Sequence, residues 1–354
     1  MKFAMMIDMY GVPSYYVEKG IAYGLYDNKP LTINHGVSPE CFMSIQNYTF
    51  LWSHTEKGYF INMWEHYENG KDLPDIDLDF ILLGYNKIGL DVLESDEDKK
   101  LTDFYDVDRI KKKYKNAKVA GFITELWTPF SAAYDYEYIR FVNRIKFLDK
   151  CDFALAAAVD SMKKLEVHRK IDDKLVNNKL KYIHCVQNLD YLYDNFYSNT
   201  KQNSIYAYIS NPLNRRGTTY QFADYLGQKY NIPVIKKPLQ EGQKFDHLNQ
   251  REFLDLWTPH LFHFNLDPAR TQPGNQGILV SSVGSINIGG VNESHDVLFP
   301  DTATNDWYYL EQKFVQLYRD SKARQEILEY AWEKLYKTYS FDVARKQIEE
   351  LDYI

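Results

Sequence analysis

The segment that decides the fold begins with the apolar run Ser204-Ile205-Tyr206-Ala207-Tyr208-Ile209. It continues with the polar turn Asn211-Pro212-Leu213-Asn214-Arg215-Arg216-Gly217. A helical pattern covers 220–230, so the order is strand, cationic turn and helix. Arginines at such a turn suit contact with a phosphate, because the guanidinium group can bind two oxygens at once. Cations are disfavoured at a helix start, which favours a binding role for Arg215 and Arg216 over a solvated one.

A glycine loop, Gln272-Pro273-Gly274-Asn275-Gln276-Gly277, lies further along the chain and leads into a helical stretch that ends near Gly284. A loop of this kind offers free backbone N–H groups and the positive end of a helix dipole to an anion. The two segments together predict a diphosphate site. Its predicted residues are Asn214, Arg215, Arg216, Gly217, Gly274, Asn275, Gln276 and Gly277, with Glu293 after the doublet Gly289-Gly290.

Apolar runs alternate with helical patterns along the whole chain, which predicts an α/β fold with parallel sheets and ligands at the strand carboxyl ends. Strands are expected at 2–7, 79–83, 118–124, 153–159, 180–186, 204–209, 232–235, 261–266, 286–288 and 297–299. Helices are expected over 14–25 after Gly11, and over 307–354 with a break at Tyr339-Ser340-Phe341. The stretch 188–202 is polar, so we place a domain boundary there. The predicted domains are 1–195 and 196–335, and 336–354 is a last helix that packs back on the first domain.

The composition is that of a soluble globular protein. The 354 residues are 45% hydrophobic and 26% charged, and the net charge of −7 argues against non-specific binding to a polyanion. No run is long enough for a membrane span, and the start lacks the features of a signal peptide. Three scattered cysteines, Cys41, Cys151 and Cys185, indicate a reduced compartment and no zinc site. We therefore expect a cytoplasmic protein, in the host cytoplasm if it is viral.

Two α/β halves with these turns in this order resemble glycosyltransferases of the GT-B fold. The segments that carry the resemblance are 182–190, 205–217, 263–268, Gly289-Gly290-Val291-Asn292-Glu293 and the final helix. The resemblance implies two Rossmann-like domains that face each other across a cleft. It also implies a nucleoside-diphosphate sugar such as UDP-glucose as donor, bound by the second domain, with the acceptor on the first. No cofactor is required, although Mg²⁺ is possible.

The chain departs from one feature of that family. Many retaining members carry two glutamates eight residues apart around the glycine loop, and this chain has Thr271 and Leu279 there. The carboxylate contact to the donor is missing. This leaves the donor identity open and favours inversion.

The segment Phe122-Ile123-Thr124-Glu125-Leu126-Trp127 is similar to a strand-end segment of phage DNA β-glucosyltransferases. Their catalytic base is the carboxylate that matches Glu125. An inverting transfer needs one base to take the proton of the acceptor hydroxyl, and a carboxylate on a strand-end loop suits that task. The prediction is therefore an inverting hexosyltransferase without a bound metal, with Glu125 as base and Gly11 near the substrate.

Several other patterns have simpler interpretations. Asp75-Ile76-Asp77-Leu78-Asp79 matches an Asp-x-Asp metal motif, but an acidic strand edge explains it equally well. Lys111-Lys112-Lys113 is more typical of a solvated helix face than of a DNA contact. Three histidines beside apolar runs are expected to be hydrogen-bonded in the core: His184, His260 and His263.

Three alternatives stay open. The acceptor could be a hydroxymethylpyrimidine base of DNA, as in a viral-type enzyme, or instead a small molecule or a glycan. A nucleotide-sugar epimerase can share the fold and would turn over the donor with no acceptor present. A non-catalytic sugar-binding protein would show no turnover, and Glu125 would be dispensable.

Overall fold

The structure is a computed structural model. It describes residues 2–7, 13–18, 21–30, 57–63, 65, 72–84, 106–123, 145–157, 180–184, 187, 189–208, 217–237, 250–266 and 275–351. The chain divides into two compact units. The first unit contains the described residues up to Ile183 and those from Gln347 onward. The second unit contains the described residues from His184 to Lys346. The domain boundaries at 195 and 335 stay predictions.

The first unit contains an eight-stranded sheet in the order β3-β2-β4-β1-β5-β6-β7-β8. From β4 to β8 neighbouring strands are parallel, whereas β2 runs antiparallel to β3 and β4. The strands are β1 Phe3–Ile7, β2 Tyr15–Glu18, β3 Ile21–Gly24, β4 Lys57–Asn62, β5 Phe80–Gly84, β6 Lys118–Ile123, β7 Phe153–Ala157 and β8 Leu180–Ile183.

The core of this unit explains why its strands read as continuous apolar runs. Every residue of β5 is buried. Met6, Ile61 and Ile81 belong to one buried cluster with Val107 and Ile110 of helix α1, Val107–Lys113. A parallel sheet covered by helices buries both faces of its central strands, so alternation with polar residues is lost.

The prediction of a helix over 14–25 is wrong, because the structure has the β2–β3 hairpin there. Tyr15 pairs with Gly24 and Glu18 with Ile21, and β2 also pairs with β4. Tyr16 stacks on Tyr23 with ring centroids 5.3 Å apart. Aromatic and β-branched residues gain from cross-strand packing, which outweighs helical spacing over so short a stretch.

The second unit contains a parallel four-stranded sheet in the order β10-β9-β11-β12. Its strands are β9 Gln202–Tyr208, β10 Val234–Lys237, β11 His260–Phe264 and β12 Ile286–Ile288. Its helices are α2 Leu189–Phe196, α3 Gly217–Tyr230, α4 Gln250–Trp257, α5 Asn275–Ser282, α6 Glu293–Leu298, α7 Trp307–Arg319 and α8 Ser321–Tyr339, and α9 Phe341–Leu351 ends the described chain.

The polar stretch in which we place the domain boundary contains α2, which buries Leu189, Leu192 and Phe196 on one face. One further prediction for this half is wrong. The expected strand at 297–299 is replaced by the end of α6, whose N-cap Asn292 accepts from the backbone N–H of His295. The expected break near Ser340 is confirmed, since α8 ends at Tyr339 and α9 begins at Phe341.

Each unit is therefore an α/β layer structure with parallel strands, and the predicted fold class of two Rossmann-like domains is confirmed. Among the described residues, no helix is both long and apolar enough to span a bilayer.

Candidate functional site

Only part of the predicted site can be placed. Gly217 is the first residue of α3, and Asn275, Gln276 and Gly277 form the first turn of α5. Glu293 begins α6. The remaining predicted residues lie outside the described residues: Gly11, Glu125, Asn214, Arg215, Arg216 and Gly274. The structure therefore describes five of the predicted site residues, all of them on the donor side, and leaves the roles of all the predicted residues as predictions.

The described site residues surround the carboxyl ends of β11 and β12. These strands are parallel neighbours, with Phe264 opposite Ile288. The backbone N–H of Asn265, directly after β11, donates to the carbonyl of Ile288 at 3.2 Å. The two strands therefore end together, and the segments that follow them meet at one edge of the sheet.

The Gly289-Gly290 doublet makes a turn that requires glycine. Both residues have positive φ, +87° and +86°, which side chains other than hydrogen disfavour. A Cβ on Gly290 would lie 2.3 Å from Nδ1 of His295. The Gly290 N–H donates to Oδ1 of Asn305 at 3.1 Å, which fixes the turn. The doublet therefore brings backbone into direct contact with the His295 ring.

The amino end of α5 packs against the same ring from another side. A Cβ on Gly277 would lie 2.6 Å from Cδ2 of His295 and 2.5 Å from Oγ of Ser294. The His295 imidazole is thus held between Gly277 and Gly290. Helix α5 directs its free N–H groups toward its amino end, where a helix dipole favours negative charge.

His295 is fully buried and uncharged. Burial lowers its pKa to about 4, against a smaller opposing effect of the Gly289 backbone. Its Nδ1 lies 3.1 Å from Nδ2 of Asn287, and that amide also donates to the Gly289 carbonyl at 2.8 Å. Neither residue was predicted from the sequence. Each is a single polar side chain, and their relation depends on the turn between β12 and α6, which brings them together without a local sequence pattern.

Glu293 is buried in the first turn of α6, with 3% of its surface exposed. A carboxylate at this position interacts favourably with the positive end of the helix. Gln276 lies on the first turn of α5, and its Oε1 accepts from Nδ2 of Asn265 at 2.5 Å. The described site thus combines Gly277 and the Gly289-Gly290 doublet with asparagine, glutamine, histidine and glutamate side chains.

The simpler interpretations of the remaining motifs agree with the contacts. Asp77 pairs with the Lys2 ammonium at 2.9 Å, and Asp79 accepts from the Lys2 backbone N–H at 2.6 Å. Lys111 pairs with Asp152 at 2.9 Å. Within the described ranges, no group of three or more histidine, cysteine, aspartate or glutamate side chains is arranged to hold a metal ion.

The three histidines beside apolar runs are hydrogen-bonded. Nδ1 of His184 lies 2.7 Å from the Thr338 carbonyl, and Nδ1 of His260 lies 2.8 Å from Oγ of Ser204. Nε2 of His263 lies 3.1 Å from the Trp257 carbonyl. None of these contacts is at the edge where β11 and β12 end.

Comparison with solved structures identifies the class of fold. An alpha-glucosyltransferase in complex with UDP and a 13-mer DNA is similar over 99% of both chains, with a TM-score of 0.63 and 10% identity. HepE of Anabaena in complex with UDP is similar over 100% of both chains, with a TM-score of 0.53 and 9% identity. S. aureus TarM, in a complex that contains UDP, is similar over 94% of this chain and 61% of its own, with a TM-score of 0.54 and 10% identity.

The resemblance to GT-B glycosyltransferases is therefore confirmed at the level of the fold. No protein-family model matches the sequence, and no curated protein matches it either. At sequence identities near 10%, the comparisons establish only the fold, and the chemistry of the site has to be inferred from its residues.

Proposed function

We propose that the protein is a glycosyltransferase that moves a sugar from a nucleoside-diphosphate sugar to an acceptor hydroxyl. The observation that carries the proposal is the edge of the second sheet, where the first turn of α5 and the Gly289-Gly290 turn surround His295. Helix N–H groups and uncharged side-chain donors suit phosphate oxygens. The similarity in fold to three structures that were solved with UDP favours a uridine diphosphate sugar as donor.

The proposed donor site includes the cationic turn before α3. Arg215 and Arg216 neutralise the charge that the diphosphate gains as its bond to the anomeric carbon breaks. Asn214, Gly217 and the 274–277 segment complete the diphosphate contacts. Because cations and backbone donors carry this task, no cofactor is proposed.

The proposed reaction is inverting. Glu125 takes the proton of the acceptor hydroxyl while that oxygen attacks the anomeric carbon, and the nucleoside diphosphate leaves from the opposite face. This assignment rests on the sequence resemblance around Glu125 and on the position of that segment directly after β6. In sequence it follows the last residue of a parallel strand, and α/β proteins bind ligands beyond the carboxyl ends of such strands.

A retaining transfer is a second candidate, and one observation favours it. Several similar structures are named alpha-glucosyltransferase, and the TarM complex contains alpha-GlcNAc-glycerol. Glucose is α-linked in UDP-glucose, so an α-linked product means retention. The anomeric configuration of the product, read by NMR from a single turnover, distinguishes the two candidates directly.

DNA is one candidate acceptor, because several similar structures are complexes with DNA. Against it, the net charge is −7, and Lys111, Lys150 and Lys229 pair with carboxylates. A small molecule or a glycan is the other candidate. A cytoplasmic location stays a prediction.

The first experiment is a thermal-shift panel of nucleoside diphosphates and their glucose, galactose and N-acetylglucosamine esters. A ligand at a hundred times its Kd adds about 2.7 kcal/mol to the stability of the folded state. We expect uridine diphosphate ligands to give the largest shift. No shift with any nucleoside diphosphate would overturn the proposal. Turnover of the donor to an isomeric donor, with no acceptor present, would replace it with an epimerase.

A further inference from the structure

Two asparagines at the ends of neighbouring strands each hold one side chain at the amino end of α5. Nδ2 of Asn265, directly after β11, donates to Oε1 of Gln276. Nδ2 of Asn287, within β12, lies 3.1 Å from Nδ1 of His295. Gln276 belongs to the first turn of α5, and His295 packs against Gly277 of the same turn.

The hydrogen bonds assign the tautomer of His295. The Gly289 carbonyl only accepts, so Asn287 presents its NH₂ group there. The same NH₂ group then donates to Nδ1, which leaves the ring proton on Nε2. Among the residues that the structure describes, this buried Nε2 has no hydrogen-bond partner. Nε2 is bonded to Cδ2, the atom that packs against Gly277, so the donor lies beside the first turn of α5.

The orientation of the Gln276 amide is also set by a hydrogen bond from an asparagine. Because its oxygen accepts from Asn265, its NH₂ group is directed elsewhere. Nε2 of Gln276 is buried and has no partner in the described part of the chain. An unpaired buried donor is costly, so two of them at one helix end indicate a ligand that accepts hydrogen bonds.

We propose that Gln276 and His295 form an uncharged donor pair that binds phosphate oxygens of the nucleoside diphosphate, and that Asn265 and Asn287 act as positioning residues for this pair. The inference rests on the proposed function and assigns three residues beyond it. Both side chains only donate in these orientations, whereas a sugar hydroxyl or a ribose would also need an acceptor.

The departure from the retaining pattern agrees with this chemistry. Leu279, at one of the two positions where many retaining members have a carboxylate, is buried in α5 and is 1% exposed. Carboxylates accept from sugar hydroxyls, while amide and imidazole N–H groups donate to anionic oxygens. The described polar side chains on this turn therefore suit the phosphate part of a donor.

The test is calorimetric titration of UDP and of uridine into the wild-type protein and variants. Gln276→Met and His295→Leu each remove one donor, and we expect each to weaken UDP binding roughly 10- to 100-fold, the usual effect of losing a hydrogen bond to a charged group. Uridine affinity should stay within about twofold, since uridine has no phosphate. Gln325→Met is the matched control, because Gln325 lies exposed on α8 and bonds only Glu329 among its described contacts. It should leave both affinities unchanged.

A second variant separates positioning from folding. Asn265→Asp replaces the donor to Gln276 with an acceptor, which turns the amide and directs its oxygen at the phosphate. UDP affinity should fall by at least as much as in Gln276→Met. In the Gln276→Met background the same change should have little further effect, because no amide is left to turn. Additive losses would overturn the positioning role.

Each remaining outcome has one meaning. If the wild type binds UDP and the variants lose UDP and uridine affinity equally, or lose neither, the donor pair is wrong and the proposed function stands. If the wild type binds none of UDP, ADP, GDP, CDP and dTDP, both are overturned.

Discussion

The ammonium group of Lys201 donates to the carbonyl oxygen of Thr258 at 2.5 Å. It also donates to the Val283 carbonyl at 2.6 Å. These carbonyls directly follow α4 and α5, so one cation serves the negative ends of two helices at the edge opposite the candidate site. Burial lowers the pKa of Lys201 to about 7.

Replacing Lys201 should therefore change how stability depends on pH. The unfolded chain holds the Lys201 proton up to pH 10.5, while the folded chain releases it above about pH 7. Between these values the unfolded state binds more protons, so this group makes the folded state more stable as pH rises. Urea denaturation at pH 7, 8 and 9 should show a smaller rise in Lys201→Met than in the wild type. Parallel curves for the two proteins would contradict the assignment.

Acid should weaken the second unit before its carboxylates titrate. Burial lowers the pKa of both His260 and His295 to about 4 from a usual 6.5. Between these values the two histidines bind protons in the unfolded chain but not in the folded chain, so the free energy of unfolding falls as pH drops from 6.5 toward 4. The full loss, complete near pH 4, is about 3 kcal/mol for the fully buried His295 and less for His260, which solvent screens in part. Denaturation at pH 7.5, 6.5 and 5.5 follows the first part of this fall, and His260→Gln should flatten the curve.

Two glycines offer a matched pair of alanine variants. A Cβ on Gly227 would lie 2.3 Å from Cγ2 of Val234, between α3 and β10, so Gly227→Ala should cost about 1–3 kcal/mol of stability. It should leave UDP affinity unchanged per folded molecule. Gly277→Ala pushes on Ser294 and His295 at the candidate site and should lower both stability and UDP affinity. Equal UDP affinities in the two variants would argue that the first turn of α5 is not at the donor.

The cationic turn gives a direct test of diphosphate binding. Arg216→Ala should weaken binding of a nucleoside diphosphate by roughly 1.5–3 kcal/mol, the range for a hydrogen bond to a charged group. Arg215→Ala is the companion variant. Calorimetric affinities unchanged in both single variants would refute the placement of the diphosphate at this turn.

The catalytic assignment depends on Glu125. Glu125→Gln keeps the shape of the side chain and removes its basicity, so kcat should fall roughly 10²- to 10⁴-fold. Donor affinity, measured separately with UDP, should be nearly intact. Turnover within a few-fold of wild type, or a product that retains the donor configuration, would end the claim.

The strands buried on both faces were the most predictable part of the fold. β5 and β11 read as continuous apolar runs because every one of their residues is buried. β4 was missed because its start, Lys57-Gly58-Tyr59, is partly exposed and interrupted by glycine. The β2–β3 hairpin depends on pairing with β4, which is distant in sequence and leaves no local signal.

Part of the candidate site was predictable from its glycines. The other part depends on strand pairing and could not be predicted from the sequence. Gly277 and the Gly289-Gly290 doublet are visible in the sequence because only glycine fits those positions. Asn265 and His295 carry no such mark. Their roles arise from the joint ends of β11 and β12 and from the start of α6, which are tertiary relations.

The grouping of the last residues has a consequence for synthesis. Helix α9 begins among residues of the second unit, but from Gln347 onward the chain counts with the first. A ribosome releases all eight strands of the first sheet long before it reaches residue 347. The first unit to emerge is therefore the last to be completed, and a chain that stalls before residue 347 lacks the final segment of that unit.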